Sequence, residues 1–203
     1  ASVNIGTYSM PRLIREFQDR YPGIKVQVKI NTTAVVEKEL LDGRLDLALV
    51  GGTIQSEHIV AEPLFYEKYT AICAPEHPMA GKTVPLEEFM KEPLLFREKS
   101  SGAYEVFQSA VNQTGLTVTP VWESTSQTTL MEAVHYGLGV TILPEQMIKR
   151  EVREGRLSQI TFSDFSFQNT IHIAYHHSKY LSPSIKKFIL LVKTLNPPKS
   201  VPE

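Results

Sequence analysis

Cysteine is almost missing from this chain. Cys73 is the single one in 203 residues, so no disulfide framework can form, and a reduced cytosolic setting fits. Its apolar neighbours make it a small buried hydrophobe rather than a nucleophile. Long hydrophobic runs are missing too. A membrane-spanning helix needs about 20 apolar residues, and the longest run, Phe188 to Val192, is a short helical patch. No signal peptide is visible, and no membrane partner is expected. Excess charge is the third absence. With 21 basic against 22 acidic residues, the net charge of −1 gives no general attraction to nucleic acid or to an anionic membrane. No basic run, RNA-reading aromatic motif or zinc-finger spacing appears.

The chemistry of catalysis is also sparse. The six histidines are His58, His77, His135, His172, His176 and His177, and none has metal-ligand spacing with another His or with Cys73. His176 and His177 are adjacent, so on a strand they would point to opposite faces. Asp42 and Asp46 are separated by Gly43 and form no acid/base pair. There is no nucleophile elbow and no P-loop. Gly137-Leu138-Gly139 lies at a helix end rather than opening one, so it is no dinucleotide fingerprint. An enzyme is disfavoured, and no metal or cofactor is called for.

What the chain does have is alternating helix and strand signals. Asn4 and Thr7 are candidate caps for a first amphipathic helix through Leu13, Ile14, Phe17 and Tyr21, with Pro11 in its first turn. Ile24, Val26, Val28 and Ile30 alternate with polar residues, which predicts a half-buried strand. Thr32 and Thr33 cap a helix that closes at Asp42-Gly43, and Leu45 to Val50 reads as a strand covered on both faces. Val60–Leu64 and Tyr66–Ala74 are two extended runs. The second half of the chain repeats the theme: Leu94–Phe96, a helix from Gly102, Val118–Glu123, a helix through Met131, Val140–Leu143, a short helix from Pro144, and Leu157–Phe162. Thr170–Tyr175 is extended again. Ser182-Pro183 opens a last helix, and the Pro-rich end, Asn196 to Glu203, is expected to fray. This order is the signature of an α/β layer fold. A doubly wound unit needs a strand ahead of its first helix, and Ala1 starts too late to supply one, so the chain is expected to be cut from a longer protein.

Three strand-to-helix loops share a hydroxyl-rich composition: Ser2 to Ser9, Ser100 to Gly102, and Ser124 to Thr128. In an open α/β sheet ligands bind beyond the carboxyl ends of the strands, where such loops lie. Hydroxyls and helix N-termini there suit a small polar or anionic ligand. Arg97 adjoins the second loop, where it is either a bidentate contact for a carboxylate or sulfate or a solvated charge at a strand end.

Met10-Pro11-Arg12-Leu13-Ile14-Arg15-Glu16-Phe17, Tyr21-Pro22-Gly23, Leu41-Asp42-Gly43-Arg44-Leu45-Asp46-Leu47-Ala48-Leu49, Glu87 to Ser101, and Ala133-Val134-His135-Tyr136-Gly137-Leu138-Gly139-Val140 with Leu143-Pro144 follow one another in a familiar order. Together they resemble the effector-binding domain of LysR-type transcriptional regulators, with the opening most similar to CysL-like and CbbR-like members. The resemblance implies a type 2 periplasmic-binding-protein-like α/β fold: two Rossmann-like subdomains joined by two crossovers, near Cys73–Glu76 and Ile173–His176. Subdomain I would be residues 1–74 plus 176–203, subdomain II residues 75–175, and an N-terminal winged helix-turn-helix would lie outside this chain. An effector, an anion or organic acid, would sit in the cleft between the subdomains on Ser2, Asn4, Ser100, Ser101, Gly102, Thr125 and Arg97. Ile5 stands where sulfate-responsive members carry a polar side chain. The resemblance further implies an antiparallel homodimer using Tyr8, Arg12 and Arg15 against Gln127 and Met131. It also implies a tetramer in the full-length protein, DNA contact only through the absent domain, RNA polymerase as a further partner, and a cytoplasmic setting. A solute-binding protein for a small anion shares the fold and is the alternative; an export signal upstream would favour it.

Overall fold

The structure is a computed structural model that describes residues 1–195; the expected frayed end lies outside them. In chain order the elements begin with α1 (Val3–Tyr8), α2 (Met10–Arg20), α3 (Thr33–Leu41), β1 (Ala48–Gly51), β2 (Ile59–Cys73), β3 (Thr83–Val84), α4 (Leu86–Phe89) and β4 (Leu95–Arg97). They continue with α5 (Gly102–Asn112), β5 (Trp122–Ser124), α6 (Gln127–His135), β6 (Thr141–Pro144), α7 (Glu145–Arg153), β7 (Ser158–Phe162), β8 (Gln168–His176) and α8 (Pro183–Leu195). The chain divides into two compact units, Ala1–Tyr66 with Thr170 onward, and Glu67–Asn169. Both changes of unit fall inside β2 and β8, earlier in the chain than the expected 74/75 and 175/176.

In the first unit the opening stretch forms two helices where the sequence predicts one. Pro11 is the cause. It has no N–H to give the Thr7 carbonyl, and its ring would clash with that carbonyl in a continuous helix, so α1 stops at Tyr8 and α2 restarts behind Ser9. Asn4 and Thr7 therefore lie inside α1 instead of capping it; Ser2 and Ser9 hold the cap positions, and neither uses its side chain there. Ile5, Met10, Leu13 and Phe17 pack with Leu49, Leu64, Ile171, Ile173 and Phe188 into one core. Phe17 meets Phe188 edge-on at 5.2 Å.

Among the described residues the expected strand Ile24–Ile30 builds no ladder. Ala1 and Ser2 run beside its end: the Asn31 N–H donates to the Ala1 carbonyl at 3.1 Å, and Ser2 donates onward to Leu49 at 3.0 Å. Ile24 and Val26 pack on the core as predicted, while Val28 and Ile30 are 42% and 49% exposed. α3 begins where predicted, with Thr32 Oγ1 accepting from the Val35 N–H and Gly43 (φ +70°) closing it. β1 pairs antiparallel with β8, Ala48 opposite Ala174 and Gly51 opposite Ile171. The two expected runs at 60–74 are one strand, β2, with Pro63 exposed along it.

In the second unit the pairings give the strand order β5-β4-β6-β2-β7-β3. β2 is antiparallel to both β6 and β7, and β3 runs parallel to β7. β4 and β5 are parallel, and β4 joins β6 through a parallel bridge between Leu94 and Val140. Gly139 makes that bridge sterically feasible. A Cβ there would overlap the Pro93 carbonyl oxygen, which accepts from the Val140 N–H at 2.9 Å. Phe89, Phe96, Tyr104, Phe107, Val111, Ile142 and Ile160 form the core, and Phe96 stacks on Phe107 at 4.9 Å.

Candidate functional site

Parallel pairing sets the geometry of the second and third hydroxyl-rich loops. Leu95, Phe96 and Arg97 stand opposite Trp122, Glu123 and Ser124, so β4 and β5 end at the same level. Each then feeds a helix. Ser101 caps α5, its Oγ accepting from the Tyr104 N–H at 3.2 Å, and Ser126 caps α6, its Oγ accepting from Thr129 at the same distance. The loops are tied together by the Glu98 N–H donating to the Ser124 carbonyl at 3.3 Å. Two helix N-termini thus open side by side beyond the carboxyl ends of two adjacent parallel strands. The orphan first-turn N–H groups and the positive dipole ends favour an anion or an oxygen-rich molecule there.

The hydroxyls in this region divide into two sets. Ser101 is buried, and it and Ser126 are engaged in capping; Ser124 Oγ accepts from the Ser126 N–H at 3.0 Å. Ser100, Thr125 and Thr128 are exposed, and among the described residues their side chains make no hydrogen bond. Gly102 is buried at the first position of α5. Arg97 is held in place by its neighbour. It is only 5% exposed, so it is no solvated charge, and its guanidinium is gripped by Glu98: Nε donates to Oε2 at 2.8 Å and Nη2 to Oε1 at 2.9 Å. Burial, and then the nearby Glu123 carboxylate, push the Tyr104 hydroxyl, just inside α5, above the usual phenol range.

In the first unit Ser2 and Asn4 are both buried. Ser2 Oγ accepts from the Gly51 N–H at 3.2 Å, tying the opening turn to the end of β1. Of the residues expected at a dimer interface, Arg12 and Arg15 are exposed on α2, with Arg15 paired to Asp19, and Tyr8 is half-buried at the end of α1. Met131 is half-buried on α6, and Gln127, at the helix start, is buried. The sequence reading missed the apolar surface beside α6. Val121, Trp122, Tyr136 and Leu138 are 69%, 39%, 76% and 50% exposed. Trp122, Tyr136 and Leu138, with Thr128, Thr129, Glu132 and Ala133, line a shallow cavity of about 350 Å³. The lone Trp122 on a three-residue strand was the available signal.

Burial raises the Cys73 thiol to about 11, with the Glu92 carboxylate adding to the shift. His176 and His177 do not diverge as a strand would require. β8 ends at His176, and the rings of His58, His176 and His177 gather within 4.8 to 6.3 Å of one another. The His58 ring stacks with each of the other two, which are tilted 31° to one another, and among the described residues no group of His, Cys, Asp or Glu is arranged to hold a metal ion. Among the described residues no helix is long and apolar enough to cross a membrane.

A profile of the LysR substrate binding domain matches residues 1–196. The chain belongs to this family. A LysR substrate-binding domain is the effector-sensing part of a LysR-type transcriptional regulator, and the curated relatives are transcriptional regulators. The chain is 27% identical over 203 residues to the uncharacterized HTH-type regulator YeiE of Escherichia coli, covering 98% of this chain and 68% of that protein. It is 29% identical over 195 residues to the activator CmpR of Synechocystis, covering 93% and 62%. It is 28% identical over 198 residues to CysL of Bacillus subtilis, covering 96% and 65%. The chain thus spans about two thirds of the length of these relatives. In fold, this LysR substrate-binding domain matches the Synechocystis CcmR regulatory domain solved with 2-PG, with a TM-score of 0.87, 22% identity, and 98% and 97% of the two chains covered. The effector-binding domain of QuiR, solved with shikimate, matches with a TM-score of 0.84, 18% identity, and 96% and 93% covered.

Proposed function

We propose that this domain senses a small anion or organic acid through the paired loops of its second unit, with Ser100, Ser101, Gly102 and Thr125 as contacts. The observation that carries this reading is the level ending of β4 and β5, which sets the N-termini of α5 and α6 side by side. Ser2 and Asn4 are proposed as the first unit's own ligand contacts. The ligands in the CcmR and QuiR structures, 2-PG and shikimate, support an oxygen-rich effector and are suitable probes. The domain carries out no turnover in this reading. Its output passes to DNA through an N-terminal helix-turn-helix of the longer, cytoplasmic regulator, and from there to RNA polymerase.

The test is a titration of 2-PG, shikimate and sulfate against melting temperature. A site in these loops predicts that Thr125→Val, which breaks no hydrogen bond of the fold, cuts the ligand-induced shift by half or more. A Thr125→Val and Ser101→Ala pair responding as strongly as the unmodified domain would sink the assignment. The capping role of Ser101 lowers the baseline melting temperature by itself, so the comparison is of shifts.

The same proposal includes a homodimer that uses Tyr8, Arg12 and Arg15 of one copy and Gln127 and Met131 of another, and a tetramer in the longer protein. The exposed Trp122, Tyr136 and Leu138 beside α6 support it, since a contiguous apolar patch on a folded domain marks a contact surface. Tyr136→Glu, at a residue 76% exposed, should leave stability within about 0.5 kcal/mol and shift sedimentation toward the monomer. An unchanged sedimentation profile would remove α6 from the interface.

A further inference from the structure

We infer that Glu98 is a specificity-determining residue that acts as an internal stand-in for the anionic group of the effector. The inference rests on the reading that the second unit's loops take that effector. Neighbouring side chains on a strand point to opposite faces, yet Arg97 and Glu98 meet in a two-pronged ion pair at 2.8 and 2.9 Å. They can do so because β4 ends at Arg97 and the chain turns at Glu98, held there by the Glu98 N–H to Ser124 and by Ser101 donating back to the Glu98 carbonyl at 2.9 Å. The loop conformation therefore lays a carboxylate on a guanidinium that is itself 5% exposed, while Glu98 keeps 17%.

An incoming carboxylate or sulfate presents the same two oxygens to the same fork. Added beside the intact pair, it would set two anionic groups against one cation, which disfavours the charged form of one of them. Exchange avoids this. The guanidinium is fixed by burial, and Glu98 is the more exposed partner on a loop, so Glu98 swings out and the ligand takes its place. Affinity for an anion is then the difference between two similar contacts, and the residue at 98 sets it.

The experiment uses sulfate as the probe, with calorimetry for affinity and amide NMR for location. Glu98→Gln keeps the shape and one acceptor but removes the competing charge, and should bind sulfate about tenfold more tightly. Glu98→Asp keeps the charge and should stay within about threefold of the unmodified domain. In the unmodified domain the Arg97 Nε–H resonance should move on adding sulfate; this readout decides the matter without any variant, should Glu98→Gln fold poorly. Shifts at the Ser101–Tyr104 and Thr125–Thr129 amides with an unmoved Arg97 Nε–H and no gain in Glu98→Gln would overturn the exchange and leave the loop site standing. Shifts confined to other amides, or none in either protein, would overturn both.

Discussion

Gly6 should be held as glycine by one neighbour, and a double-mutant cycle can show it. A Cβ built on Gly6 lies 2.6 to 2.8 Å from Cγ1, Cγ2 and Cδ1 of Ile30. Carbon atoms normally pack at about 3.5–4.0 Å, so three contacts are each too close by roughly an ångström. Two effects then oppose each other in Gly6→Ala. Ala gains about 1 kcal/mol over Gly inside a helix. Overpacking costs about 1–3 kcal/mol, and the β-branched Ile30 has few rotamers with which to escape it. Ile30 is 49% exposed and can yield partly outward, which sets the penalty near about 2 kcal/mol. The net expectation is a loss of about 1 kcal/mol for Gly6→Ala in the unmodified background. All three crowding atoms lie beyond the Cβ of Ile30, so Ile30→Ala removes them. In that background Gly6→Ala should stabilise by up to about 1 kcal/mol, giving a coupling of about 2 kcal/mol. Urea unfolding followed by far-UV circular dichroism reads both backgrounds, with unchanged m-values as the check on comparability. The same ΔΔG in both would refute the packing argument.

Three further outcomes follow from the structure. Gly139→Ala should cost about 3 kcal/mol or more, because the new Cβ meets a backbone carbonyl at a positive φ of 156° and pries β4 from β6; loss of near-UV dichroism at Trp122 would report it, and an unshifted urea midpoint would contradict it. The Glu62 carboxyl is held below its usual range, first by its hydrogen bond from Lys193 (2.7 Å) and then by that from Tyr175 (2.8 Å). A lowered folded value stabilises above the unfolded pKa and loses that stabilisation as pH falls through the folded value. With partial solvent screening, Glu62→Gln should cost about 0.5 kcal/mol at pH 7, and the gap should close below about pH 4 in urea titrations. The Cys73 thiol, buried and raised to about 11, should react with a thiol reagent at pH 8 only as fast as the second unit opens; labelling insensitive to urea would show it accessible in the native state.

How much of this was legible in the sequence depended on where the physics is local. The cap of α3 was readable because Thr32 satisfies a backbone donor three residues ahead, a relation confined to one turn, whereas the capping roles of Ser101 and Ser126 came only from the structure. The hydroxyl-rich loops ahead of α5 and α6 were visible from composition, which places them between strand and helix without saying which hydroxyls are engaged. Pro11 was visible but underweighted: seen as a tolerated first-turn residue, it is also the residue that splits the opening helix in two. The alternation at 24–30 predicted a strand, but a ladder needs a partner of matching length, and among the described residues the backbone pairs there only with Ala1 and Ser2. The grip of Glu98 on Arg97 was beyond reach, because it depends on how the chain turns after β4. So was the clustering of His58 with His176 and His177, which relies on pairing across the sheet.

The division among the loop hydroxyls has an evolutionary consequence. Ser101, Ser124 and Ser126 are committed to hydrogen bonds that shape the loops, and changing any of them disturbs the fold before it alters recognition. Ser100 and Thr125 carry no such duty among the described residues, and they lie in the loops that open α5 and α6. Under the proposed function, a lineage can therefore change its ligand through those two positions at almost no cost in stability, with the scaffold beneath them unchanged.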